Sequence, residues 1–245
     1  MFSLPLDQSV IEALIAISTI TVSFIIYTIF SDSKGIKQYF AKKFNNNLQH
    51  VLPVLLLRLV GVGVYGIIPI LFIIFWFAKN PADYGLSIEN SPVTLIGILV
   101  ALVVFVPINK LTAKSEENIA MYPMMRVRTW SISLLSLSAV SWIVYLFAYE
   151  FIYRGFLLFT CANAFGVWPA IIINTSIYSL THMVKATREG IGAIILGALL
   201  SIAVIHIGSF WIAFYVHIVL ALSNEWFSLA ANPDMKVVFK KKKEL

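Results

Sequence analysis

The chain has 245 residues, of which 60% are hydrophobic and only 12% charged, with a mean hydropathy of +0.88. Soluble domains carry roughly 25% charged residues, so this composition cannot supply a polar shell, and a soluble fold is excluded. A net charge of +6 would suit nucleic acid in a soluble protein. Here the basic residues flank apolar segments, where lipid headgroups and topology explain them, and no nucleic-acid partner is expected.

In chain order, apolar stretches near the length of about 20 residues that a spanning helix needs predict seven spans, at 9–30, 51–78, 92–112, 135–161, 167–184, 190–207 and 209–230. The first lacks the basic flank of a signal peptide and reads as a retained span, with Glu12 near an interface. The stretch after it, including Asn45–Asn47, reads as a polar loop. Arg58 lies about two turns into the second span and reads as an arginine snorkelling to the headgroups. Asn163–Pro169 carries the Gly and Pro of a tight turn centred near residue 166, and Gly208 marks a second turn. The expected fold is an all-α polytopic transmembrane helix bundle of about seven spans. Residues 1–130 form helices without recognised motifs, 131–230 form a motif-bearing core, and 231–245 form a basic tail. The single cysteine, Cys161, excludes an internal disulfide and a multi-cysteine metal site.

The basic residues set the orientation. Fifteen of the 18 lysines and arginines, including Lys34 to Lys43, Lys110, Lys114, Arg126, Arg128, Lys185, Arg188, Lys236 and Lys240 to Lys243, fall on one side of this topology. The opposite loops hold only Lys79. By the positive-inside rule the populated side is cytoplasmic, so the amino terminus lies outside and the carboxyl terminus inside, with the plasma membrane as the expected location.

Ionisable residues inside spans are costly and tend to mark function. They concentrate in the second half of the chain: Tyr149, Glu150, Arg154 and Gly155; then Tyr178 and His182; then His217, Asn224 and Glu225. Glu150 and Arg154 are four apart and share a helix face, as do Tyr178 and His182. Glu150 precedes the turn at residue 166 by 16 residues and His182 follows it by 16. Both are then expected roughly 20–24 Å below that turn and facing each other. Asn224 is expected at a comparable depth, and His217 about two turns nearer the outside. A carboxylate and an imidazole in a wet pocket can activate water, and a further His or Asn can donate to an oxyanion. A purely structural polar network fits the same residues, with Glu150 neutralised by Arg154. Two histidines and a glutamate could also hold zinc, although no H-E-x-x-H spacing is present; the reading adopted requires no cofactor.

At these residues the sequence resembles the CPBP superfamily of intramembrane CAAX-processing and bacteriocin-processing (Abi) proteases. That family's E-E-x-x-x-R motif appears here as Tyr149-Glu150-x-x-x-Arg154-Gly155, its F-x-x-x-H as Tyr178-x-x-x-His182, and its later histidine as His217 with Asn224 seven residues on. The resemblance implies an intramembrane endopeptidase acting on a peptide or membrane-protein substrate. In it Glu150 and His182 activate water, His217 and Asn224 stabilise the oxyanion, and Arg154 orients Glu150. The sequence departs from the pattern at Tyr149, where the family has its first glutamate, and at Ala221, the usual place of the polar partner. These departures keep open a second reading, a catalytically inactive membrane scaffold or regulator that binds a partner protein. A small transporter would need repeated halves with matching broken helices, and none is evident.

The orientation is tested by cysteine labelling in intact cells. With an impermeant thiol reagent, Lys42→Cys, Lys114→Cys and Lys242→Cys should stay unlabelled, and Lys79→Cys or Ser87→Cys should label. Labelling of Lys114→Cys from outside would reverse the topology.

Overall fold

The computed structural model describes residues 7–88, 91–183 and 187–239. Lys185 and Lys240 to Lys243 lie outside the described residues, as does the side chain of Arg188. The helices start where short polar side chains can take up orphan N–H groups. Asp7 accepts from Val10, Ser33 from Ile36, Ser91 from Val93 and Ser131 from Leu134. They are α1 (Gln8–Asp32), α2 (Lys34–Lys43), α3 (Leu48–Trp76), α4 (Pro92–Thr112), α5 (Glu116–Met121), α6 (Ile132–Phe165), α7 (Val167–Met183), α8 (Thr187–Ile207) and α9 (Trp211–Ala231). Six of the described helices, α1, α3, α4, α6, α8 and α9, are long and apolar enough to cross a membrane.

The seventh expected span is α7. Its described residues number 17, about 26 Å at 1.5 Å per residue, against a hydrocarbon core of about 30 Å. It runs back along α6 from a turn at Gly166 (φ 86°), and Gly208 (φ 74°) makes the corresponding turn between α8 and α9. Both turns are where the sequence puts them. Two features differ from expectation. The first polar loop contains the ten-residue helix α2. The chain also has a short parallel strand pair, β1 (Thr129–Ser131) with β2 (Lys236–Val238), which ties the start of the expected basic tail to the segment before α6.

The connections sort to two ends of the bundle. At one, Lys79 pairs with Glu12 at 2.5 Å, and the loop at 85–87 is strapped to the α8–α9 turn. Phe210 N donates to the Gly85 carbonyl at 3.1 Å and Ser209 Oγ to the Ser87 carbonyl at 3.0 Å. At the other end lie the strand pair and Asn118, whose amide donates to Ser228 Oγ at 2.6 Å. Large apolar side chains such as Leu95, Leu99 and Val103 on α4 remain exposed, as a lipid-facing surface requires.

α6 is the axis of the core: Phe151, Ile152, Tyr153, Phe156 and Leu157 are all fully buried. From Phe151 to Leu157 it is a π-helix, as is α3 from Val62 to Ile67 and again from Phe72 to Trp76. Wider turns misalign backbone hydrogen bonds, and with no water in hydrocarbon a neighbour must satisfy the displaced carbonyls. Ser23 on α1 donates to the Val64 carbonyl at 2.9 Å. Asn174 on α7 donates to the Tyr153 carbonyl at 2.5 Å, and is itself held by Ser201 on α8 at 3.1 Å. Gly155 lies in the α6 π-turn because a Cβ there would meet the Tyr84 carbonyl at 2.9 Å.

Arg58 does not snorkel. It is 2% exposed, donates to the Ser138 carbonyl at 3.0 Å and to Ser141 Oγ at 2.6 Å, and stacks on Trp142 at 4.3 Å. Ser138 Oγ in turn donates to Glu225 at 3.1 Å, so a polar relay joins α3, α6 and α9. The sequence shows that Arg58 enters a span, but its direction depends on having α6 and α9 polar groups within reach. Hydrogen bonds made by a charged group are worth about 1.5–3 kcal/mol each, and removing Arg58 would leave buried acceptors unpaired. Arg58→Ala should therefore lower the melting temperature in detergent sharply, whereas an unchanged melt would show that the relay contributes nothing to stability.

Candidate active site

α6, α7 and α9 bring the polar residues of the second half together. Residue by residue along α6, Tyr145, Tyr149 and Tyr153 recur every four positions and form an aromatic face. Tyr65 on α3 packs on Tyr149 at 5.7 Å, and Tyr145 lies 5.8 Å from it. Glu150 is one residue on, about 100° around the helix, and so points elsewhere.

Glu150 is fully buried and lies between two partners. Its Oε1 accepts from His217 Nδ1 at 2.6 Å, and its Oε2 is 3.6 Å from Arg154 Nε. Arg154 is also fully buried, with its guanidinium 3.9 Å over the Tyr178 ring. α8 passes close at Gly197, where a Cβ would lie 3.0 Å from Tyr178 and 3.7 Å from Arg154. A full carboxylate inside a membrane protein is tolerated only when paired, and here it is paired twice.

His182 sits on the other side of Tyr149. Its Nδ1 is 2.9 Å from the Tyr178 carbonyl and 3.4 Å from the Tyr149 hydroxyl. A carbonyl only accepts, so this network assigns a proton to His182 Nδ1. The Tyr149 ring packs edgewise on both imidazoles, 6.0 Å from His182 and 5.7 Å from His217. Beside it, Tyr153 and Thr181 hydroxyls are 2.9 Å apart, and Thr181 donates to the Tyr178 carbonyl at 2.9 Å.

A cavity of about 340 Å³ opens in front of this group. Tyr149, His182, His217 and Asn224 line it, while Glu117 and Glu189 lie toward the end of the bundle that carries the strand pair. Asn109 on α4 lines it too, and donates to the Leu220 carbonyl at 2.9 Å and to Ser223 Oγ at 2.7 Å. The site is thus completed by a helix for which the sequence offered no motif. Ala221 also lines the cavity, and its methyl group supplies no donor.

The arrangement departs from the expected pairing of Glu150 with His182. Glu150 bonds His217, and His182 faces Tyr149. His217 is consequently at the level of Glu150 rather than two turns above it. Counting 1.5 Å per residue estimates depth along a regular helix but leaves the azimuth undetermined, and the π-turn beginning at Phe151 alters both. Arg154 stands beside Glu150 as its spacing indicates, and Asn224 shares the cavity with both histidines. Sequence reasoning treated Tyr149 only as a missing glutamate. The signal that it is the hub was the Tyr145, Tyr149, Tyr153 periodicity.

Residues 129–223 match a family model described as type II CAAX prenyl endopeptidase Rce1-like. Over that segment the chain is similar to that family. The match agrees with the superfamily resemblance carried by the three motifs, and it covers less than half of the chain. The matched segment runs from β1 through most of α9. Neither the curated proteins nor the solved structures provide a match to the chain.

Zinc sites ordinarily use three or four protein ligands. Among the described residues no group of three or more His, Cys, Asp or Glu converges in that way. Glu150, the nearest carboxylate to His217, is committed to Arg154 and to His217 Nδ1. This donor set does not fit a zinc centre.

The Glu150–His217 contact is a charge-assisted hydrogen bond, a class worth about 1.5–3 kcal/mol. A double-mutant cycle with Glu150→Gln and His217→Gln, followed by melting in detergent, should return a coupling in that range. Simple additivity of the two losses would mean that the residues do not interact.

Proposed function

We propose that the protein is an intramembrane endopeptidase in which Glu150 and His217 act together to activate water. The observation that carries this reading is the 2.6 Å bond from His217 Nδ1 to Glu150 on the rim of a cavity that His182 and Asn224 also line. The carboxylate holds the proton of His217 on Nδ1, which turns the basic Nε2 lone pair toward the cavity. Nε2 takes a proton from water as the hydroxide attacks the peptide carbonyl carbon. The same proton passes to the leaving amine when the carbon–nitrogen bond breaks. Glu150 keeps its charge throughout, stabilised by Arg154 from behind. His182 and Asn224 line the space where substrate would lie and position it. The chemistry uses the chain's own side chains and needs no metal.

The substrate in this reading is a peptide or membrane-protein segment that reaches the cavity from the end bearing Glu117 and Glu189. With the orientation argued from the basic loops, that end and the carboxyl terminus face the cytoplasm of the cell whose plasma membrane holds the protein. The family description makes a prenylated CAAX peptide the first substrate to offer.

One observation favours a different reading. Tyr149 stands toward both imidazoles, where a carboxylate would contact water directly, and Glu150 is fully buried and does not line the cavity. A membrane scaffold that binds a partner helix would keep this packing and lose the chemistry.

Cleavage distinguishes the two. Purified protein in liposomes should cut a prenylated CAAX peptide, or a member of a leader-peptide library, with time. His217→Ala and Glu150→Gln should each reduce kcat by about 10²- to 10⁴-fold, with the protein still folded. A folded, normally abundant Glu150→Gln, His217→Ala double variant that restores function to a deletion strain, with no cleavage by the native protein, would establish the scaffold instead.

A further inference from the structure

The helix α2 carries Lys34, Lys37, Lys42 and Lys43 within ten residues, and no acid. A single residue, Ser33, joins it to α1, and the segment 44–47 joins it to α3. Both neighbours are long and apolar enough to cross a membrane. Four extended residues reach only about 14 Å, so α2 is tethered at the membrane surface. Its end of the bundle is the one with the strand pair, since Val51 at the start of α3 packs with Val127, Trp130 and Leu229.

Two strips run along α2. Ile36, Phe40 and Phe44 recur every four residues and are half-buried, with Phe40 and Phe44 stacked at 6.2 Å, and α2 packs against α3. Lys34, Gln38 and Lys42 form the opposite strip and are exposed, as are Lys37, Tyr39 and Lys43. Lys43 Nζ donates to the Tyr39 hydroxyl at 3.0 Å and lies 5.8 Å over the Phe44 ring, a lysine on an aromatic edge as suits headgroup depth. Helices that face only water tend to alternate the sign of their charges, whereas a basic amphipathic helix suits a membrane surface. Residues 33–50 contain no acid, and the nearest in sequence, Asp32, ends α1. Among the described residues, the ion pairs involve Lys79, Arg154 and His217 and none of these four lysines.

We propose that the lysine face of α2 binds the headgroups of anionic phospholipids in the leaflet at its own end of the bundle. Charge and place together select this occupant. Four positive charges without an intervening acid favour an anionic surface, and the surface within reach of a helix tethered at both ends is the surrounding bilayer. Ile36 and Phe40 anchor α2 on the side away from Lys34 and Lys42, so those lysines extend outward to phosphate and carboxylate groups. None of these residues lines the cavity beside Glu150, and lipid binding here is independent of any peptidase chemistry.

Full-length protein in lipid nanodiscs tests this. Gln38→Cys, within the lysine strip, takes an environment-sensitive thiol dye, and Cys161 is fully buried and does not compete for it. Dye emission should shift to the blue in discs of phosphatidylcholine mixed with phosphatidylserine, relative to phosphatidylcholine alone. Lys37→Gln or Lys42→Gln, each added to Gln38→Cys, should weaken the preference for phosphatidylserine about fivefold. Replacing all four lysines with Gln should abolish the shift and leave the melting temperature near native. An arm without lysine substitutions uses salt: NaCl at about 1 M, where the Debye length is about 3 Å, should reverse the shift. Equal emission in the two bilayers, a shift that persists in high salt, or an undiminished response without the lysines overturns the lipid site. A shift produced by an acidic peptide and not by phosphatidylserine also overturns it, and assigns the strip to a protein partner.

Discussion

The structure turns on one buried carboxylate. Glu150 has no exposure and lies in a helix long and apolar enough to span a membrane, where an unpaired charge would cost several kcal/mol. Its two oxygens dictate the surroundings: one holds His217, and the other faces Arg154. Arg154 is long and fully buried, so its plane needs a lid, which the Tyr178 ring supplies from α7. That stack lies between α6 and α7, and α8 comes close to it at Gly197. Three helices thus contribute to the surroundings of a single charge.

The π-turn of α6 and the polar groups that serve it follow the same logic. A widened turn from Phe151 to Leu157 shifts the residues on either side of it around the helix and leaves the Tyr153 carbonyl in need of a donor. Asn174 and Ser201, both fully buried, make a two-step bridge from α7 and α8 to that carbonyl. The Arg58–Ser138–Glu225 relay does comparable work among α3, α6 and α9, behind the cavity. In lipid, apolar contact distinguishes poorly between one helix face and another, so these polar bridges fix which faces meet. They also hold Tyr149 and the histidines in a defined relation, as a catalytic site requires.

Much of this was legible in the sequence, for local reasons. Span positions follow from runs of apolar residues, and the turns from Gly166 with Pro169 and from Gly208 between apolar runs. The Glu150–Arg154 pair follows from four-residue spacing. The helix α2 escaped notice because its ten residues have lysines and short apolar stretches that look like a loop between spans. The strand pair escaped because Thr129–Ser131 and Lys236–Val238 are over 100 residues apart, and neither forms a strand alone.

What the sequence determined by itself was the class of protein, the approximate positions of the spans and of the turns between them, and the set of residues able to do chemistry. Those depend on composition, capping and spacing along one helix. Only the tertiary structure decided that Glu150 serves His217, that His182 faces Tyr149, and that Arg58 turns inward to Ser138. The reason is geometric. Depth in a membrane accumulates reliably at a fixed rise per residue, but the direction of a side chain rotates by about 100° with each residue and is reset by every π-turn. Partners across helices are chosen by that direction and by the helix, such as α4 with Asn109, that packs alongside.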